Sequence, residues 1–229
     1  METLIPRDGE VHLWWASLAV DGEQLDRLLA ALDKRERLRA ERFTINRARR
    51  RFIAARGLLR SLLARVRGGH PAQVTFSYGY RGKPALEGGP EFNASDSGDT
   101  VVVALAAAEI GVDLEVIRPL TNPERLARRI ATGSEFRQLE ALPSEALERA
   151  VHRLWTYKEA ALKAAGTGLP GGLHNVEVDL EADPPFLRRL LDDRDRWTLL
   201  TTDFDPALLC SIVVRRPIEK LHNFRFEPR

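Results

Sequence analysis

The chain has 229 residues, enough for one large domain or two lobes with a real core. Its 35 lysines and arginines nearly balance 33 acidic residues, so the net charge of +2 does not by itself announce a nucleic-acid binder. The lone cysteine, Cys210, lies in an apolar run, which excludes an intramolecular disulfide and suits a reducing compartment. The N-terminus lacks the apolar core of a signal peptide, and no apolar stretch is long enough to cross a bilayer. A cytoplasmic protein with no membrane partner is expected.

Residues 11–18 alternate as a strand does, and Asp21-Gly22 marks a turn. Residues 24–32 have helical spacing. A helical pattern resumes from Asp33 to Arg67, with a break expected near Thr44-Ile45-Asn46. That span holds thirteen lysines and arginines against three acids, Asp33, Glu36 and Glu41. Such a helix is ordinarily a solvated face with its arginine stems lying along apolar surface. As a binding surface it suits a polyanion. No zinc-finger spacing and no RNP-like aromatic strand supports nucleic acid, so a multiply phosphorylated small molecule fits better.

Residues 74–78 read as a strand, and Arg81-Gly82-Lys83-Pro84 as a turn carrying two cations. Residues 92–99 read as a polar hairpin corner whose Asp and Ser satisfy backbone donors, ahead of the β-type run 100–106. In the strand expected at 110–116, Asp113 and Glu115 share one face while Val112, Leu114 and Val116 take the other. Neighbouring carboxylates repel unless a cation joins them, and Mg²⁺ favours oxygen ligands. Pro119 and Pro123 frame a linker, 124–130 is helical, and Gly133-Ser134-Glu135 opens a short helix with Ser134 as its expected cap.

The long helix expected at 144–165 carries Trp155, Glu159 and Lys163 at i, i+4 and i+8, on one face, with Lys158 about 100° away. Taken alone this is a solvated surface helix; an anion, two cations and a tryptophan so close together also suit a metal and a phosphate. Residues 175–180, 197–201 and 208–214 read as strands, and the histidines, His222 included, show no metal spacing. Each half gives strand, helices and strands. The expected fold is α+β with two similar lobes, 1–106 and 107–229, meeting near Ala106 to Glu109.

Gly111-Val112-Asp113-Leu114-Glu115, about forty residues before Trp155-Thr156-Tyr157-Lys158-Glu159-Ala160-Ala161-Leu162-Lys163, resembles the signature of 4′-phosphopantetheinyl transferases. The Arg-rich helix, Arg81 to Pro84, Phe92-Asn93-Ala94-Ser95-Asp96-Ser97 and Gly166-Thr167-Gly168-Leu169 resemble the two-lobed, surfactin-synthetase-activating (Sfp) type. The resemblance runs from Glu36 to Leu169 in order and spacing.

It implies a pseudo-two-fold monomer with the active site between its lobes. It further implies transfer of phosphopantetheine from coenzyme A to a serine of an apo acyl or peptidyl carrier protein, releasing adenosine 3′,5′-bisphosphate. Asp113, Glu115 and Glu159 would hold Mg²⁺, with Asp113, Glu159 and Lys163 catalytic and Glu159 alternatively the base for the serine proton. Lys158 and Lys163 would contact phosphate. Lys83, Ser95, Arg37, Arg39 and Arg51 would bind the nucleotide and its 3′-phosphate. Glu135 matches an acidic family position near the metal. Two departures stand out: Asp96 replaces the usual histidine that contacts coenzyme A phosphate, and 130–134 lacks the usual paired aromatics. Asp96 would repel that ligand unless turned away or bridged by a cation. It motivates an alternative, a relative that binds coenzyme A or a carrier domain without turnover.

Overall fold

The computed structural model describes residues 4–191, 196–202 and 204–227. The first apolar alternation forms β1 (Glu10–Ser17), and capping boxes then start two short helices. Asp21 and Gln24 cap α1 (Gly22–Ala30); Asp33 and Glu36 cap α2 (Lys34–Glu41). The chain breaks at Thr44-Ile45, as its β-branched residues predict, before α3 (Asn46–Arg67), which ends at Gly68 with φ of 76°. Leu58, Leu59, Leu62 and Leu63 bury one side of α3 in the N-terminal core. Arg60 is fully buried beneath it; its guanidinium engages Asp33 and Glu36 and donates to the carbonyls of Pro71 (3.0 Å) and Val74 (2.9 Å). Glu36 also takes Arg56. Two of the three acids in the basic span are thus spent internally.

Strands β2 (Phe76–Tyr78) and β3 (Pro84–Leu86) form a small hairpin, followed by β4 (Glu91–Ser97), β5 (Thr100–Ala106) and β6 (Ile110–Val116). Helices α4 (Pro123–Ile130), α5 (Gly133–Glu140) and α6 (Ser144–Ala164) come next. The chain finishes with β7 (Val176–Asp179), β8 (Phe186–Leu190), β9 (Thr198–Thr202), β10 (Leu208–Val214) and β11 (Lys220–Arg225). The two main sheets have strand orders β11-β1-β5-β4 and β6-β10-β9. Their inner faces share a core of Val11, Leu13, Val102, Ala104, Ile110, Val112, Leu114, Cys210 and Ile212. Burial pushes the Cys210 thiol well above its usual range, so this cysteine is packing material rather than a reactive group.

Three details depart from the sequence reading. Residues 92–97 are not a corner but the strand β4, and the turn is only Gly98-Asp99, with Gly98 at φ of 59°. Their polarity has another cause: Asn93, Ser95 and Ser97 lie on one face and reach sideways to β6. Thr132, not Ser134, caps α5, exchanging bonds with Glu135. Finally, β11 runs parallel to β1 in the first sheet, so the chain's last strand returns to the lobe expected to end at 106. Its mixed composition, Lys-Leu-His-Asn-Phe-Arg, hides a strand that half-covers a sheet edge.

Helix α6 lies across β6 at Gly111. A Cβ there would stand 2.1 Å from the Ala160 carbonyl oxygen and 2.2 Å from the Ala164 nitrogen, both backbone atoms that cannot rotate aside. Gly111→Ala must therefore lift the helix off the strand. It is expected to cost about 3 kcal/mol, at the upper end for overpacking, read as a lowered urea midpoint.

Candidate active site

The close crossing sets Glu159 and Lys163, which flank the contact positions on α6, beside Asp113 on β6. Lys163 Nζ donates to Asp113 Oδ1 (2.6 Å), Ser95 Oγ (3.0 Å) and the Val112 carbonyl (3.2 Å), and Ser95 Oγ donates to the same Asp113 oxygen (3.1 Å). Asn93 Oδ1 accepts from the Val112 N–H (3.0 Å), and Ser97 Oγ accepts from the Val116 N–H (3.1 Å). Alternate side chains of β4 therefore stitch together two sheets to which β4 and β6 belong separately.

Glu115 is gripped at both oxygens, by the Trp155 indole N–H on Oε1 and the Ser97 hydroxyl on Oε2, each at 3.2 Å. Trp155, packed against the C-terminal core, thus also orients a carboxylate. Ser97 is the site residue that sequence reasoning passed over, although Asn93-x-Ser95-x-Ser97 has the period of a strand face.

Asp113 is buried and Glu159 half-buried. Burial raises the Asp113 pKa, with Lys163 opposing and Glu115 adding to the rise. Burial also raises that of Glu159, joined by the Asp113 charge and opposed by Lys163. Asp113 Oδ2 and Glu159 Oε1 are each sealed from solvent without a hydrogen-bond partner. Unpaired carboxylate oxygens beside a third carboxylate form a donor set that fits Mg²⁺, which takes oxygen ligands and often only one or two protein carboxylates. The three are not drawn into a tight ligand cluster: among the described residues, the group of three meeting a 4.8 Å separation is Glu10, His12 and His222. Lys163 supplies the positive charge on Asp113 instead.

The remaining expected residues are dispersed. Lys83 Nζ donates to the carbonyls of Ile110 (2.9 Å) and Ala164 (3.0 Å), tying the start of β6 to the end of α6. Burial lowers its pKa, with Glu91 and Glu109 opposing. Arg37 donates to the carbonyls of Leu32 (3.0 Å) and Ala30 (2.8 Å), closing the turn between α1 and α2. Arg39 stacks over Phe52 at 5.0 Å and lines a cleft of about 580 Å³ with Lys34, Arg35, Arg42, Arg56 and Tyr78. Arg51 donates to Asp96 Oδ2 at 2.9 Å, so the acid that replaces the usual histidine carries a cation bridge.

Lys158 corrects the sequence reading. Its ammonium points into the C-terminal core and donates to the carbonyls of Leu173 (3.0 Å) and Val176 (2.9 Å) and to Glu135 (2.6 Å), which uses all three of its N–H groups. Glu135, expected near the metal, accepts in addition from the N–H groups of Thr132 (2.6 Å) and Val178 (2.8 Å). Both side chains are 0% exposed. This is a structural strut with no donor left for phosphate. Lys158→Met strands a buried carboxylate and is expected to cost about 3–5 kcal/mol, part of it recovered in Lys158→Met/Glu135→Gln. Urea titrations of the three proteins check this; unchanged stability with a raised KM for coenzyme A would return Lys158 to a phosphate role.

Comparisons with known proteins agree with this architecture. Residues 17–109 match the family described as 4′-phosphopantetheinyl transferase, N-terminal, and residues 109–213 match the 4′-phosphopantetheinyl transferase superfamily. The chain is 39% identical over 211 residues to the 4′-phosphopantetheinyl transferase HetI of Nostoc sp., covering 90% of this chain and 87% of that protein. It is 30% identical to psf-1 of Bacillus pumilus, over 87% of this chain and 86% of that one. With Sfp of Bacillus subtilis the identity is 26%, over 85% and 87%. Both lobes are thus accounted for, and the chain belongs to the 4′-phosphopantetheinyl transferase superfamily, a family of transferases.

Proposed function

We propose that the protein moves 4′-phosphopantetheine from coenzyme A to a serine of an apo acyl or peptidyl carrier protein, dependent on Mg²⁺. The observation that carries this reading is the pair of sealed, unpaired oxygens on Asp113 and Glu159 beside a single lysine between the lobes. In the reaction the serine oxygen bonds to the phosphorus bearing pantetheine, a pyrophosphate P–O bond breaks, and adenosine 3′,5′-bisphosphate leaves. Asp113, Glu115 and Glu159 would hold Mg²⁺, which when bound supplies charge neutralisation at the pyrophosphate. Trp155 and Ser97 fix Glu115 and Ser95 fixes Asp113, so the carboxylates are oriented before substrate arrives. Lys163 is 27% exposed and can turn from Asp113 to a phosphate oxygen. Glu159 would alternatively take the serine proton, a role that its raised proton affinity supports.

Binding without turnover was motivated by Asp96, and its ion pair with Arg51 removes much of that motive. The pair is 29% and 45% exposed, and such pairs are worth about 1 kcal/mol or less. If this end of α3 receives the 3′-phosphate, Asp96→His is expected to lower the KM for coenzyme A by about fivefold at most, with kcat little changed. A rise in kcat of several orders of magnitude would instead revive the non-catalytic reading.

The direct test is intact-protein mass spectrometry of an apo carrier incubated with coenzyme A and Mg²⁺. One phosphopantetheine is gained, the gain stops with a chelator, and Asp113→Ala or Glu159→Ala abolishes it while the circular dichroism spectrum is unchanged. No gain on carriers from fatty-acid, polyketide and peptide synthesis, at saturating coenzyme A, would overturn the proposal.

A further inference from the structure

The return of β11 to β1 creates a second cluster of ligand-type side chains at the opposite edge of the first sheet from β4. The parallel register sets His12 opposite His222 and Glu10 opposite Lys220, whose side chain is exposed. Residues two apart on a strand share a face, as do direct partners across a ladder, so Glu10, His12 and His222 converge. His12 Nε2 lies 3.8 Å from Glu10 Oε2, and His222 Nε2 lies 4.0 Å from Glu10 Oε1. One ligand atom from each residue lies within 4.8 Å of the others. The two imidazoles meet edge-on with centroids 5.1 Å apart.

Two features make this more than a chance meeting of polar groups. His222 Nε2 is sealed from solvent and has no hydrogen-bond partner, an arrangement that costs free energy unless something occupies it. The side chains are also held. The Arg7 backbone N–H donates to Glu10 Oε2 at 3.0 Å, and Phe224 stacks on the His222 ring at 5.9 Å with an interplanar angle of 3°. Phe224 further meets His12 edge-on at 5.3 Å. Outer contacts of this kind orient ligands in built metal sites.

We propose that Glu10, His12 and His222 bind a first-row transition cation of the Zn²⁺ type, which clamps the chain's last strand to its first. Two imidazoles and one carboxylate suit Zn²⁺ and not Mg²⁺, and three protein ligands leave a fourth position for water. Tetrahedral Zn²⁺ with bonds of about 2.0–2.1 Å sets its ligand atoms roughly 3.3 Å apart, so the present cluster closes by about an ångström on binding. The site is separate from the carboxylates between the lobes, since β5 and β4 lie between β1 and that region. Its role is to add to the retention of β11, a short edge strand also held by its backbone bonds, by Leu221 against the shared core, by Arg225 over Trp15 and by the stack of Phe224 on Trp14 at 4.4 Å.

Co²⁺ serves as the probe, because its visible absorption reports four-coordinate nitrogen and oxygen ligation. The full-length protein and its Asp113→Asn variant are expected to titrate alike, while His222→Ala and Glu10→Gln bind at least about tenfold more weakly. Zn²⁺ is expected to raise the melting temperature of the first two proteins but not of His222→Ala. Glu10 is partly exposed, so Glu10→Gln keeps the test alive if His222→Ala fails to fold. The proposal is overturned by the absence of a four-coordinate Co²⁺ spectrum in the wild type, by its persistence in both sheet variants, or by its loss only in Asp113→Asn.

Discussion

Everything at the inter-lobe site depends on one contact, between the backbone of β6 at Gly111 and the backbone of α6 at Ala160 and Ala164. Helix and strand meet without a side chain between them, so the residues just before each contact position, Glu159 and Lys163, fall at the level of Asp113. Lys163 is the nearest cation for Asp113, and Glu115 has only neutral donors, Trp155 and Ser97. Burial is the main reason that the Asp113 and Glu159 pKa values rise; at Asp113 the Lys163 charge outweighs that of Glu115, while at Glu159 the Asp113 charge outweighs that of Lys163.

The two sheets are held on either side of this contact by different forces. Apolar residues from both inner faces supply most of the cohesion, since each buried aliphatic side chain contributes about 1.5–3 kcal/mol. The side chains of Asn93, Ser95 and Ser97 add only about 1 kcal/mol per hydrogen bond. Their value is geometric. Ser95 and Ser97 end on Asp113 and Glu115, so the bonds that set the lobes in register also aim the carboxylates.

The sequence carried the elements whose periodicity is strong: β1, the broken basic helices, β6 and α6 were all legible, and so was the shared face of Asp113 and Glu115. Residues 92–97 were not, because polarity in a strand reads as a turn until a neighbouring edge is known to receive it. Nor was β11, whose partner lies at the other end of the chain, and with it the meeting of His12 and His222. Lys158 was misread for a related reason. A helical period places it about 100° from Glu159 but does not say which side is core. Carbonyls at Leu173 and Val176, and the capping acid Glu135, make that side hospitable to an ammonium, and none of these is near it in sequence.

Burial then separates charges that composition treats as equal. Lys158 and Glu135 are both wholly enclosed, and each has its hydrogen-bonding capacity filled from several directions. Moving either one leaves the other unpaired in the core, at a cost of several kcal/mol. Lys163 and Arg51 make ion pairs of similar chemistry but keep about a quarter or more of their side-chain surface in water, 27% and 29%. Partially solvated cations exchange one anion for another at small cost, because water stabilises them during the exchange. Under the proposed function, a phosphate reaching either residue would compete with a carboxylate already in place, and the outcome would turn on the added negative charge and on the neutralisation of that carboxylate. The same helix therefore contains an enclosed lysine and a partly solvated one five residues apart in sequence, distinguished by solvent access and not by residue type.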